Sequence, residues 1–194
     1  VPLTVKQGRK EINFESDEFI RSETTFDSLA NLRPAFAKDG FVTAGNSSGI
    51  NDGSASVILA DANKINSHNA TPMARIVSYG FGGVPALIMG MGPVPASQMA
   101  LERAGLSVDD LAVVESNEAF AAQACAVSKQ LGLDASVVNP NGGAIALGHP
   151  VGATGAIIMT KLIYELRRRS ARYGMATMCI GGGQGLSIIV EAHP

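Results

Sequence analysis

The chain has 194 residues, 46% hydrophobic and 16% charged, which is long enough to bury a core and too apolar to be disordered. Its net charge of −2 excludes a global electrostatic pull towards nucleic acid or an anionic membrane. Two cysteines do not make a disulfide framework, and the most apolar long window, Val84 to Leu101, is broken by Pro85, Pro93 and Pro95, so it is no membrane span.

Residues 1 to about 50 hold 13 of the 32 charged residues within their first 39 positions and show little periodicity, so an irregular, surface-heavy segment is expected. The start at Val1 rather than methionine is expected of a processed chain or a fragment. Thr43 to Gly53 (TAGNSSGINDG) is rich in small and turn-forming residues. Its N–H groups suit a polar ligand equally as well as an ordinary turn before a strand. Ser54–Asp61 reads as a buried strand with a short helix after it. From Met73 the pattern becomes regular: strand Met73–Gly80, helix Pro95–Leu106 with proline in its first turn, strand Leu111–Ser116, helix Glu118–Leu131. A short strand Ser136–Asn139, a helix Gly152–Arg168 and strands Tyr173–Ile180 and Leu186–Glu191 complete the order β-α-β-α-β-α-β-β. This alternation predicts a layered α/β domain with a mixed sheet, helices on both faces and a terminal antiparallel pair. The basic run Arg167, Arg168, Arg169 and Arg172 reads as a solvated helix end favoured by the helix dipole.

Three stretches can carry chemistry. The first, Asn117-Glu-Ala-Phe120, lies between a strand and a helix, where Asn117 is either a helix cap or a polar group at the strand end that binds ligands. The second holds His149 between Gly148 and Pro150, on a loop stiffened by proline and opened by glycine. The third places Cys179 before Gly181-Gly-Gly-Gln-Gly185, which leaves backbone N–H groups uncovered beside a thiol, as an oxyanion hole requires. Cys125, on a helix without such surroundings, is expected in the core. The spacing fits neither a dinucleotide fingerprint, a P-loop, a metal site nor a Gly-x-Ser-x-Gly elbow.

Together these segments resemble the thiolase family, enzymes that make or cleave 3-oxoacyl-CoA thioesters. Asn117-Glu-Ala-Phe120, Gly148-His-Pro150 and Cys179-Ile-Gly-Gly-Gly-Gln-Gly185 match its carboxyl-half motifs in order and spacing. The likeness extends to Gly45–Gly53, Asp17–Arg21 and Ser28–Phe36, and so covers essentially the whole chain. The resemblance implies an acyltransferase of the acetyl-CoA acetyltransferase or 3-ketoacyl-CoA thiolase type, at work in fatty-acid metabolism on short acyl chains. Its reaction is a reversible Claisen condensation of acetyl-CoA, with CoA thioesters as substrates and no cofactor or metal. His149 would deprotonate the nucleophile and then donate to the thioester oxygen, beside a water held by Asn117. Cys179 would move the α-proton, as a thiol can near neutral pH if a neighbour or dipole lowers its pKa modestly, and the N–H of Gly181 would hold the acyl-enzyme oxyanion. Arg21, Ser28, Phe36, Ala44 and Ser48 fall where the family contacts CoA, Met89 and Phe120 near its acyl pocket.

The family's nucleophilic cysteine belongs to the amino-terminal half, and nothing in this sequence matches its surroundings. The resemblance is therefore to a carboxyl half. Residues 1–50 would end the CoA-binding loop domain, 51–72 would supply a strand and helix to the amino-terminal core domain, and 73–194 would form the carboxyl-terminal domain. The chain alone is expected not to complete turnover, its partners being acyl-CoA, the amino half and a homo-dimer or tetramer when complete, without nucleic acid or membrane. The expected location is cytoplasmic, since no secretory signal is visible. A non-catalytic CoA-thioester or partner-binding module on the same fold is the alternative. Condensing enzymes of fatty-acid or polyketide type commonly carry histidine where Cys179 stands.

Overall fold

The computed structural model describes residues 2–193. The opening segment is more ordered than its composition suggests: β1 (Leu3–Gln7) and β2 (Lys10–Phe14) form an antiparallel hairpin. Its turn uses Gly8 at φ +66°, and Leu3 faces Phe14 while Val5 faces Ile12. The alternation that makes this hairpin is present, but its flanking charges leave most of it exposed and obscure it. Helix α1 (Phe26–Ala30) starts at a reciprocal cap between Thr25 and Ser28, and α2 (Ala62–Ser67) is capped by the carboxylate of Asp61.

Ser54–Asp61 is not a strand. The backbone there joins no ladder among the described residues, its one bond being from the Ile65 N–H to the Asp61 carbonyl at the start of α2, and Ile58 and Leu59 are 97% and 74% exposed. An apolar run becomes a strand only when a neighbour takes its N–H and C=O groups.

The remaining chain builds a four-stranded sheet in the order β3–β6–β5–β4: β3 (Ala74–Gly83), β4 (Leu111–Ser116), β5 (Tyr173–Ile180) and β6 (Gln184–Ala192). The β4–β5 pair is parallel; the β5–β6 and β3–β6 pairs are antiparallel. Ser136–Asn139, expected as a fifth strand, makes only a single parallel bridge, Val138 with Val114. Three residues of run-up are too few for a ladder once Asn139 turns to φ +45°.

Side-chain alternation splits the core into two layers. Val114, Met175 and Ile189 face α3 (Pro93–Ala104) with Ala100 and Leu101, whereas Val113, Ala176 and Val190 face α6 (Thr154–Arg168) with Ile158, Leu162 and Leu166. Helices therefore cover both faces, as expected. Between these helices in sequence come α4 (Ala121–Leu131), which buries Val127 and Leu131 on Val94, and the one-turn α5 (Ala144–Leu147). Cys125 is exposed rather than core, because it lies two residues, about 200° of helical turn, from the buried Gln123 and Val127. The basic run is only partly a solvated face. Arg168 and Arg169 pair with the buried Glu165 and hold it at a pKa of about 2, Arg168 first among the causes, and Arg172 pairs with Glu191. Among the described residues no helix is long and apolar enough to cross a membrane.

Candidate functional site

The parallel β4 and β5 run to the same end of the sheet, where polar groups can face a cleft without breaking the ladder. Asn117 follows β4 directly, and its N–H donates to the Thr177 carbonyl of β5 at 2.9 Å, two residues before Cys179. Asn117 is 2% exposed, yet neither its side-chain oxygen nor its nitrogen has a partner among the described residues. It is no helix cap: the cap position of α4 is Phe120, with no side-chain bond. A buried amide left open costs on the order of 1–3 kcal/mol, so the position calls for a ligand or water.

Its neighbours are held firmly. The Asn139 side chain accepts from the Ser116 N–H at 2.9 Å and donates to the Ser116 carbonyl at 2.8 Å, replacing the strand that Ser136–Asn139 does not form. The same amide donates to Glu118, whose other oxygen accepts from the Ile145 N–H at 3.2 Å. A Cβ at Gly143 would lie 2.0 Å from the Glu118 carboxyl carbon, so a larger residue there would push that carboxylate off its partners.

This loop delivers His149, whose N–H donates to the Gly49 carbonyl (3.0 Å) and to Asn51 Oδ1 (3.2 Å). The ring Nδ1 lies 2.7 Å from Thr154 Oγ1, and that hydroxyl gives its one proton to the Pro150 carbonyl at 2.9 Å. Thr154 must then accept from the ring, which places the proton on Nδ1 and leaves Nε2 as a free base. Burial pushes the imidazole below its ordinary value of 6.5. The fold thus disfavours the charged ring, and stability falls as pH drops from 6.5 towards the lower native value. An NMR titration of the His149 ring should show its midpoint below 6.5, rising towards that value in Thr154→Val if the ring swings into water.

The Thr43–Gly53 loop is not an ordinary turn before a strand. It bridges the other two segments: the Ser48 N–H and hydroxyl both bond the Ala119 carbonyl, the Ala121 N–H bonds the Asn46 carbonyl, and Ile50 pairs with His149. Leu29 and Leu32 of the α1 region close over Gly45, and Phe19 over Gly49.

Cys179 is half-buried opposite Gly185 in the β5–β6 ladder, before a turn in which Gly182 and Gly183 have φ of +85° and +94°. Gly181 is exposed, with open space around it. The modest lowering that would ease proton exchange near neutrality is not found: burial pushes the thiol upwards, and its backbone hydrogen bond does not offset this.

Of the remaining expected residues, Ala44 and Ser48 sit on the bridging loop, and Phe120 pairs with Ser47. Met89 lies in a short 3₁₀ segment (Ala86–Met91) whose Gly90 packs on Gln123. Ser28 spends its hydroxyl on the α1 cap, while Arg21 and Phe36 are exposed with no polar contact to the sheet. Sequence reasoning missed Asn139, Glu118 and Thr154 as parts of the site, although each stands within or beside a motif it singled out. Among the described residues no group of three or more His, Cys, Asp or Glu could hold a metal.

The family profile "Thiolase, C-terminal domain" matches residues 70–192, and "Thiolase, N-terminal domain" matches residues 1–63. An acetyl-CoA acetyltransferase of Shinella zoogloeoides is 54% identical over 192 residues, which is 99% of this chain and 49% of the relative. The crystal structure of the Bacillus anthracis acetyl-CoA acetyltransferase superposes with a TM-score of 0.94 at 50% identity, covering 100% of this chain and 49% of that one. Human mitochondrial 3-ketoacyl-CoA thiolase in complex with CoA gives 0.88 at 45% identity, over 99% and 48%. The chain spans about half the length of the curated relatives it matches.

Proposed function

The chain belongs to the thiolase family, and from this we propose that it supplies one side of a site for acyl transfer between CoA thioesters. His149 and Asn117 bind the thioester oxygen, Cys179 moves the α-proton, and the nucleophilic cysteine comes from an amino-terminal half. In this reading Nε2 of His149 takes the proton of that outside thiol, whose sulfur attacks the acyl-CoA carbonyl. Coenzyme A leaves as its thiolate and takes the proton of Cys179, with the acyl-enzyme oxygen held by the Gly181 N–H. A second acetyl-CoA then binds. Cys179, now a thiolate, removes its methyl proton, and the enolate oxygen rests on the Nε2–H that His149 gained from the outside thiol and on a water held by Asn117. The enolate carbon attacks the acyl-enzyme, and the thiolate of the outside cysteine departs and recovers its proton from Nε2 of His149.

The observation that carries this is the Asn117 amide: buried, open at both atoms, and bonded through its backbone to the strand of Cys179. Residues 1–50 act as the end of the CoA-binding loop segment, with Arg21, Ser28, Phe36, Ala44 and Ser48 towards CoA and Met89 and Phe120 towards the acyl group. Exposed Ile58 and Leu59 support packing of 51–72 on an amino-terminal half.

The enolate step needs only this chain's own groups, which makes it testable without the nucleophile. Acetyl-CoA incubated with the chain in D₂O should gain methyl deuterium faster than buffer alone. Acetoacetyl-CoA with CoA should show no thiolysis, and the intact mass should carry no acyl group. An acyl adduct on Cys125 or Cys179 would overturn the division of roles. Saturable CoA binding without exchange, even with the amino half of a relative added, would instead favour a binding module.

A further inference from the structure

We infer that Lys161 is a positioning residue: its ammonium pins the loop that leads to His149 onto the strand that leads to Asn117. Lys161 lies in the middle of α6, with Nζ 2.8 Å from Glu115 Oε2 and 2.6 Å from the Gly142 carbonyl. Glu115 is on β4, two residues before Asn117, and its side chain is 1% exposed. Its second oxygen has no partner among the described residues, and burial raises its carboxyl against the pull of Lys161.

A buried pair of this kind is a poor stabiliser, since desolvation offsets most of the attraction and an apolar pair of equal volume serves as well. What an apolar pair cannot do is bond Gly142. That residue stands at φ +85°, between Asn139, which grips Ser116 and Glu118, and Gly143, which lies bare against Glu118. Asn141, the residue before it, donates to the buried Glu165 at 2.9 Å, one turn beyond Lys161 on the same helix. Lys161 and Glu165 therefore hold adjacent residues of the loop against one face of α6, and Lys161 joins that face to the strand of Asn117. It does so from the helix whose first residue, Thr154, sets the His149 tautomer. The family motifs contain neither Lys161 nor Glu115.

The inference rests on the reading of Asn117 and His149 as one site, but its test uses no acyl chemistry. Hydrogen exchange is followed in the 194-residue chain and in Lys161→Met/Glu115→Leu, which removes both charges and keeps the volume. The amides of Gly142, Ile145 and Gly148 should exchange at least about tenfold faster, while those of Leu162, Leu166 and Met175 stay within about threefold. Lys161→Arg, which can still donate to both partners, should keep the loop within about threefold of the parent. Unchanged loop protection in the double variant, or core amides that accelerate in step with the loop, overturns the proposal. Failure of the deuterium incorporation into acetyl-CoA described above would strike the acyl-transfer reading and leave these exchange rates untouched.

Discussion

With Cys179 replaced by alanine, the chain is expected to lose exchange of the acetyl-CoA methyl protons by a factor of about 10²–10⁴, the reach of a positioned acid–base group. The thiol lies on β5 two residues after Thr177, which bonds Asn117, so the proposed base and the proposed oxygen-binding amide are spaced by the parallel ladder rather than by a flexible loop. Burial raises the thiol, so thiolate is a minority species near neutrality. Exchange should then rise roughly tenfold per pH unit until the thiol titrates. Asn117→Ala should lower the rate about 10²–10³-fold, the scale of one lost oxyanion donor. Cys125→Ala, on the exposed side of α4, should leave it unchanged. Proton NMR of the methyl group measures all three. A Cys179→Ala chain within threefold of the parent, with unchanged circular dichroism, would take the proton away from this residue.

Gly80→Ala is expected to lower the unfolding free energy by about 3 kcal/mol, in the upper range for overpacking, read as a fall in the urea midpoint. Helix α3 lies directly on β3: a Cβ on Gly80 would stand 2.2 Å from the Ala96 carbonyl oxygen and 2.7 Å from the Ala100 nitrogen. These are backbone atoms, so no side-chain rotation relieves the clash. Gly82, two residues on, meets the Ala96 nitrogen in the same way, and the Ser78 hydroxyl donates to the Ala100 carbonyl at 2.6 Å. The strand offers a smooth strip and the helix offers Ala96 and Ala100, both fully buried. Gly152→Ala, at a position with open space and no positive φ, should change stability by less than about 0.5 kcal/mol. Equal midpoints for the two variants would mean that α3 is free to lift.

The parts of the fold legible in the sequence were those with both faces covered. Leu111–Ser116 opens on four apolar residues and Tyr173–Ile180 is broken by one polar side chain, Thr177, and their ends coincide with the observed strands. Helices drifted by two or three residues at their starts, because Glu118 and Gly152 belong to loops with duties of their own. Ser54–Asp61 was misread because its apolar content speaks of burial without saying against what. The resemblance pointed to Asn117, His149 and Cys179. The sheet brings Asn117 and the Cys179 strand together, and the Thr43–Gly53 loop ties Asn117's neighbours to His149. What no spacing could reveal was the support: Asn139 standing in for a strand, Thr154 choosing a tautomer, Lys161 reaching a carbonyl. Each depends on a contact between residues whose chain separation says nothing about distance in space.

The parallel pairing of β4 with β5 has a kinetic consequence. Ser116 meets Thr177 only after the intervening chain, with α4, α5 and α6, has been gathered, so the closure is long and its entropy must be met before any bond is gained. The α3–β3 contact and the β5–β6 hairpin are closer in sequence and are the candidates for early structure. Asn117 and Cys179 have no shared geometry until that last strand docks. On refolding from urea, helical signal should therefore return before competence to exchange acetyl-CoA protons, and the lag between the two should be the docking time of β4.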